Sequence, residues 1–285
     1  MAELAPAGLV DRTFPFERRD FERVRALIHQ RAGISLADHK RDMVYSRLVR
    51  RVRAGGFSSF AAYLDALEHG DGGEWQDFIN ALTTNLTSFF REAYHFDALI
   101  TQLREAAARE GTAQPLRIWC AAASTGEEPW SLAITACEAF GTLAPPVRIL
   151  ATDIDTQVLA TAEAGIYALD RIESLGDERR RAFFQRGTGP HAGMCRVRRE
   201  LRELVSFRPL NLLDRHYGIA PGLAAIFCRN VMIYFDKPTQ YRLLQRMMPL
   251  LAADGRLYAG HSESFSHAAD LLTGCGRTIY RARSR

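Results

Sequence analysis

The stretch RIWCAAASTGEEPWSLAI, residues 117–134, sets an apolar run against a patch of tiny residues, followed directly by Glu127, Glu128 and Pro129. Read as a strand, a turn and the start of a helix, it places Ser124 or Thr125 at the N-cap and Pro129 in the first helical turn. Alanines and one glycine at that turn serve either of two ends: close packing of helix on sheet, or close approach of a ligand to a helix N-terminus. The next apolar run, VRILATDID, ends in Asp153 and Asp155. That is the distance at which such folds set a carboxylate on ribose hydroxyls. No G-x-G-x-x-G fingerprint is present, and Glu127 and Glu128 stand where a pyrophosphate would be repelled. An adenosine-containing cofactor with a cationic end fits better, and S-adenosylmethionine, with its ammonium and sulfonium, is such a molecule.

Further polar residues follow later apolar runs, where a parallel sheet has its binding crevice: Asn211 in PLNLLD, and Arg229 with Asn230 in IFCRNVMIYF. An asparagine side chain both donates to and accepts from an adenine edge. No Ser/His/Asp or Cys/His set can be assembled. His261 and Glu263 in AGHSESF have no H-x-x-x-H or Cys/His companions, so no metal is expected.

These residues need a scaffold, and the pattern supplies one in two parts. From Phe16 to about Leu82 only helical apolar spacing appears, in DFERVRALIHQRAG, HKRDMVYSRLVRRVRAGG and FSSFAAYLDALEHG, each closed by glycine. A further amphipathic segment leads to Pro115. Beyond it short apolar runs alternate with helical stretches: LRIWCAA, VRILATDID, VSFRPLNLL, LAAIFCRNVMIYF, GRLYAGHSES and, last, RTIYRARS. That alternation predicts an α/β fold with a doubly wound parallel sheet closed by a terminal antiparallel hairpin. The rhythm breaks between Gly165 and Leu210, where a charged helix leads into QRGTGPHAG, and a small antiparallel insertion is expected there. The 285 residues carry a net charge of +4, with a pI near 8.9. Such a mild excess neither requires nor excludes nucleic acid. Five cysteines without a CxxC pair indicate reduced thiols, and no run approaches the ~20 apolar residues of a membrane span. A soluble, unexported, cytoplasmic protein is expected.

The motifs TTNLTSFFRE, CAAASTGEEPWSLAI, ATDIDTQVLATAEAGIY, NLLD and FCRNVMIYFDKPTQ, in this order, resemble those of the CheR-type chemotaxis receptor methyltransferases, from about Phe16 onward. The resemblance implies a Rossmann-like S-adenosylmethionine-dependent methyltransferase domain at 115–285, with a small β-subdomain inserted at about 168–208. It implies a helical receptor-docking domain at 16–83 and a helical interdomain segment at 84–114. The implied activity is transfer of a methyl group to glutamate side chains on the cytoplasmic helices of methyl-accepting chemoreceptors, for adaptation in bacterial chemotaxis. S-adenosylhomocysteine is the implied product, and recruitment to membrane receptor arrays would run through the receptors. By the same resemblance Asn85, Thr87, Arg91, Glu127, Asp153, Asn211, Leu212, Arg229 and Asn230 bind the cofactor, and Arg91 and Tyr234 lie nearest the transferred methyl.

The chemistry agrees with a sequence lacking a general base. A glutamate, with a reference pKa of about 4.3, is already a nucleophilic anion at neutral pH, so proximity and exclusion of water suffice. The Arg91 guanidinium offers a bidentate fork either to the acceptor carboxylate or to the cofactor's own, and Tyr234 offers its ring to the sulfonium. At helical pitch, residues 40–53 place Val44, Tyr45, Leu48, Val49 and Val52 on one arc and Lys40, Arg47, Arg50, Arg51 and Arg53 on the other. The basic arc suits a glutamate-bearing substrate helix. Gly187, Thr188 and Gly189, in the RGTGPHAG loop, resemble a site that holds a receptor C-terminal peptide as an edge strand. A nucleic-acid methyltransferase and a cofactor-binding module without turnover are the competing readings. The first is disfavoured by RNVMIYF, which lacks the proline pair of base-amino methyltransferases, and the second by the intact Arg91, Glu127, Asp153 and Tyr234.

Overall fold

A computed structural model describes residues 14–70, 72–111 and 113–283, with the side chain of Glu110 excepted. The chain divides into two compact units, one ending at Leu82 and one comprising Ala32–Ile34 and the chain from Thr83 onward.

The first unit is helical: α1 (Arg18–Ala32), α2 (Arg41–Ala54), α3 (Phe60–His69) and α4 (Trp75–Leu82). Glycine follows each of the first three, at Gly33, Gly55 and Gly70, as the sequence predicts. The apolar arc of α2 is buried in full: Val44, Tyr45, Leu48, Val49 and Val52. It meets an aromatic cluster in which Phe16 lies 4.5 Å from Phe60 and 5.9 Å from Tyr45, centroid to centroid.

The expected amphipathic run breaks after Leu82, and in the second unit an extended segment leads into α5 (Tyr94–Glu110). Then follow β1 (Leu116–Cys120), α6 (Glu127–Phe140), β2 (Val147–Asp153) and α7 (Thr156–Ala164). Next come β3 (Ile166–Ala168), α8 (Gly176–Phe183), β4 (Phe184–Arg186), β5 (Met194–Val197), α9 (Arg199–Arg202) and β6 (Val205–Pro209). The chain continues through β7 (Leu223–Phe227), α10 (Lys237–Met247), β8 (Leu251–Tyr258), β9 (Leu272–Gly276) and β10 (Ile279–Ala282).

Seven strands form one sheet in the order β6-β2-β1-β7-β8-β10-β9, parallel from β6 to β8 and antiparallel at β10 and β9. Alternation along β1 divides the core: Ile118 and Cys120 join the cluster with α5 and α6, while Trp119 and Ala121 join the one with α10. The order turns back at β1, with β2 on one side and β7 on the other, which opens a crevice at the C-terminal ends of these strands.

Three details differ from the sequence-based expectation. The small sheet, β3-β5-β4, lies within Ile166–Val197, whereas β6, inside the 168–208 window, pairs with β2 in the main sheet. The terminal hairpin is β9–β10, and LTGCG carried no strand signal because only Leu272 in it is buried. Gly126, not Ser124 or Thr125, caps α6. Its φ is +100°, and a Cβ there would stand 2.8 Å from Ala162. Pro129 does sit in the first turn of α6.

Candidate active site at the strand ends

The crevice is built by four loops and by the extended segment before α5. After β1 the chain enters a tight turn in which Ser124 takes φ +48°. Its N–H donates to an Asp153 carboxylate oxygen at 2.8 Å, and its hydroxyl donates to the Asn85 carbonyl at 3.1 Å. The other Asp153 oxygen accepts from the Asp155 N–H at 2.9 Å. Asp153 is 8 % exposed. Burial pushes its pKa up to about 6, against the pull of the N–H groups of Asp155 and Ser124. Asp155 caps α7 and also accepts from Thr83 (2.6 Å) and from the Asn85 amide (2.9 Å). Thus Asn85 is brought to the crevice, with its side chain holding the extended segment to the β2–α7 loop.

Glu127, at the start of α6, is 1 % exposed. It accepts from the Thr125 hydroxyl at 2.6 Å and pairs with Arg171, which also reaches the Thr87 carbonyl at 3.3 Å. Glu128 points the other way. Its oxygens take Arg229 at 2.6 Å and the Cys120 thiol at 3.4 Å, and burial raises its pKa even though Arg229 opposes the shift. Both glutamates at the turn are therefore matched by arginines, so Asp153 is the turn's carboxylate without an arginine partner.

Arg229 is fully enclosed, between Glu128 and Glu92 (3.2 Å), and donates to the carbonyl of Arg91. Both of its terminal nitrogens are taken by protein partners, while its buried Nε has no hydrogen-bond partner among the described residues. Asn230 follows with φ +58°; its amide donates to Glu92 at 3.2 Å and its N–H to Glu263 at 3.1 Å. Arg91 lies between Phe90 (φ +51°) and Glu92 (φ +58°), and its half-exposed guanidinium donates to the Leu86 carbonyl at 3.0 Å. Asn211 closes a turn after β6, its side-chain oxygen accepting from Leu213 N–H at 2.9 Å, with Leu212 buried beside it. Tyr234, half-buried, ends a single helical turn, Met232–Tyr234. The carried-over residues Asn85, Thr87, Arg91, Glu127, Asp153, Asn211, Leu212, Arg229 and Asn230 all lie on this crevice-forming set of loops. Arg171 and Glu92 escaped the sequence reading: one sits in the β3–α8 connection, the other inside a helical-looking run.

The donor set fits a cofactor with hydroxyls and a cationic end. Asp153 is a buried acceptor at the end of β2, the turn after β1 has only alanines and small polar groups, and no lysine or arginine in it would favour a phosphate. Among the described residues no group of three His, Cys, Asp or Glu side chains converges as for a metal ion.

Two family models match the chain: the CheR methyltransferase all-alpha domain over residues 19–83 and the CheR methyltransferase SAM binding domain over residues 85–281. The chain belongs to the CheR methyltransferase family. Chemotaxis protein methyltransferase 2 of Pseudomonas aeruginosa is 54% identical over 267 residues, covering 94% of each chain. The chemotaxis protein methyltransferase of Escherichia coli is 53% identical over 261 residues, covering 91% of this chain and 89% of that one. The Salmonella typhimurium enzyme is also 53% identical, over 91% of this chain and 88% of its own. As a CheR methyltransferase the chain is a S-adenosylmethionine-dependent enzyme of the Rossmann-like class.

The basic arc of α2 divides in the structure. Arg51 makes a bidentate contact with Glu74 (2.8 and 2.7 Å) and reaches Asp77 at 2.7 Å, and Arg47 donates to the Leu82 carbonyl at 3.2 Å. Lys40, Arg50 and Arg53 are exposed. Among the described residues no helix is long and apolar enough to cross a membrane.

Proposed function

We propose that this enzyme esterifies glutamate side chains of methyl-accepting chemoreceptors, on their cytoplasmic helices, with the methyl group of S-adenosylmethionine, and so serves sensory adaptation in bacteria. The observation that carries the reading is a CheR match over nearly the whole chain, on a crevice with a buried ribose-type carboxylate. A carboxylate acceptor is ionised at neutral pH, so no proton has to be removed before attack. When bound, the cofactor supplies an electrophilic methyl on a sulfonium. Asp153 would accept from its ribose hydroxyls, Asn211 and Leu212 would border its adenine, and Asn85, bonded to Asp155, holds the segment that would bring Thr87 to it. Arg91 would orient a carboxylate with its guanidinium, and Tyr234 would offer its ring to the sulfonium, a contact worth ~0.5–2 kcal/mol. Holding the acceptor carboxylate in line with the methyl, with water excluded, would suffice for transfer.

Two docking surfaces belong to the same proposal. Lys40, Arg50 and Arg53 attract an acidic receptor helix, while Arg47 and Arg51 brace α2 itself. β4 is an outer strand of the small sheet and presents an edge to an extended receptor peptide. Gly187, Thr188 and Gly189 shape that edge: the Gly187 N–H donates to Met194 at 2.9 Å, and a Cβ on Gly187 would collide with the His191 carbonyl.

The test is to incubate the enzyme with methyl-labelled S-adenosylmethionine and chemoreceptor membranes, then treat the receptor with alkali. Methanol released from the receptor identifies a carboxyl methyl ester. Label that resists alkali would remove glutamate as the acceptor, and intact cofactor binding without any transfer would point to a binding module.

A further inference from the structure

One carboxylate outside the carried-over set gathers more of the crevice than any of them. Glu92 is 10 % exposed at its side chain. One of its oxygens accepts from the Asn230 amide at 3.2 Å and faces His261 Nδ1 at 2.9 Å. The other lies 3.2 Å from Arg229 Nη2, 3.3 Å from the Tyr94 hydroxyl and 3.5 Å from His95 Nδ1. These partners come from the end of β7, the turn after β8 and the start of α5, three elements far apart in sequence. Burial alone would raise the Glu92 pKa, but the hydrogen bond from His261, the Arg229 charge and the Asn230 amide outweigh it and hold it at about 2.

The backbone here is also unusual. Phe90 and Glu92 have φ of +51° and +58°, a region that costs a residue with a side chain of order 1–3 kcal/mol and persists only where the surroundings over-determine it. Arg91 stands between them, and its carbonyl is held by the same Arg229 that Glu92 holds. The direction of the Arg91 guanidinium thus depends on a strained turn whose clamp is Glu92.

We propose that Glu92 is a positioning residue for methyl transfer: its carboxylate, bound to Arg229, Asn230 and His261, locks the turn that aims Arg91 at the reacting groups. The inference rests on the methyl-transfer reading above. Displacing a reacting group by about 1 Å costs up to about a hundredfold in rate, so Glu92→Gln lowers kcat by about 10- to 100-fold. The readout that separates positioning from support of the fold is a double-mutant cycle with Arg91→Lys. If Glu92 acts through Arg91, Glu92→Gln costs less than about threefold in the Arg91→Lys background. Independent losses that multiply would overturn the proposal, as would a Glu92→Gln enzyme with wild-type kcat. Should Glu92→Gln not fold, His261→Ala replaces it in the cycle, since His261 is 66 % exposed and touches the clamp from outside. That variant loses about 3- to 10-fold in kcat in the wild type and less than about twofold beside Arg91→Lys; no loss, or full multiplication, would overturn the proposal. A wild-type enzyme that transfers no methyl at all defeats the methyl-transfer reading first, and this inference with it.

Discussion

Arginine does different work at two places in this molecule. At the end of β7, Arg229 is enclosed between Glu92 and Glu128, with no exposed side-chain surface. On α2, Arg50 faces solvent, and Arg51, 26 % exposed, meets Glu74 and Asp77 at the edge of the helical unit. A buried guanidinium whose partners are fixed specifies one arrangement of the loops around it, because any other leaves charge unpaired in a poor solvent. An exposed one contributes little to stability and acts at a distance, on whatever anionic surface approaches.

The sharpest way to break this contrast is Arg229→Met, which leaves Glu92 and Glu128 buried without their counter-charge. A loss of about 3–5 kcal/mol in urea denaturation is expected, against about 1 kcal/mol or less for Arg51→Met. Equal losses would mean that burial does not separate the two sites. Next in size is the pH dependence of the proposed cofactor site at Asp153. With Asp153 held at about 6, its carboxyl gains a proton as pH falls below that value and loses acceptor capacity for hydroxyls. Affinity for S-adenosylhomocysteine, followed by calorimetry, should weaken about tenfold between pH 7 and 5, and Asp153→Asn should bind weakly with a flat profile. Stability has its own acid limb. Burial, with the nearby Arg229 charge, brings His95 down to about 4, so the unfolded chain takes up that proton first. The stability gained by keeping His95 neutral is complete above about pH 6.5 and is lost as pH falls toward 4; because Asp153, raised to about 6, titrates with the opposite sign in this window, the decline should appear in the difference between the thermal melts of wild type and His95→Gln, which share Asp153. The smallest thermodynamic effect belongs to Lys40→Glu and Arg50→Glu. Stability should stay within about 0.5 kcal/mol, while the KM for receptor rises several-fold at low salt and converges with wild type at high ionic strength. A salt-independent change would argue against steering.

Much of this was legible before any coordinates. The apolar arc of α2, the glycines after α1, α2 and α3, the strands around Asp153 and Arg229, and the burial of Cys120 and Cys228 follow from periodicity and composition. What escaped has common physical causes. The strand β9 is an edge with one buried residue, so burial wrote no pattern into LTGCG. The cap of α6 went to Gly126 because Ser124 and Thr125 spend their side chains on Asn85 and Glu127 instead. Arg171 meets Glu127 across 44 residues and Glu92 meets Asn230 across 138, and no local spacing encodes such a meeting. Even the argument from Glu127 and Glu128 against a pyrophosphate met charges already matched by Arg171 and Arg229.

The place of β10 sets the schedule on which this molecule can be made. It lies between β8 and β9, so the open flank of β8 has no neighbour until residue 282 has been synthesised. The helical unit, whose contacts are local, is ready to fold while the rest of the chain is still on the ribosome. The sheet is not: five parallel strands must wait with one long flank unpaired, a template for other nascent chains, until the last hairpin arrives to cover it.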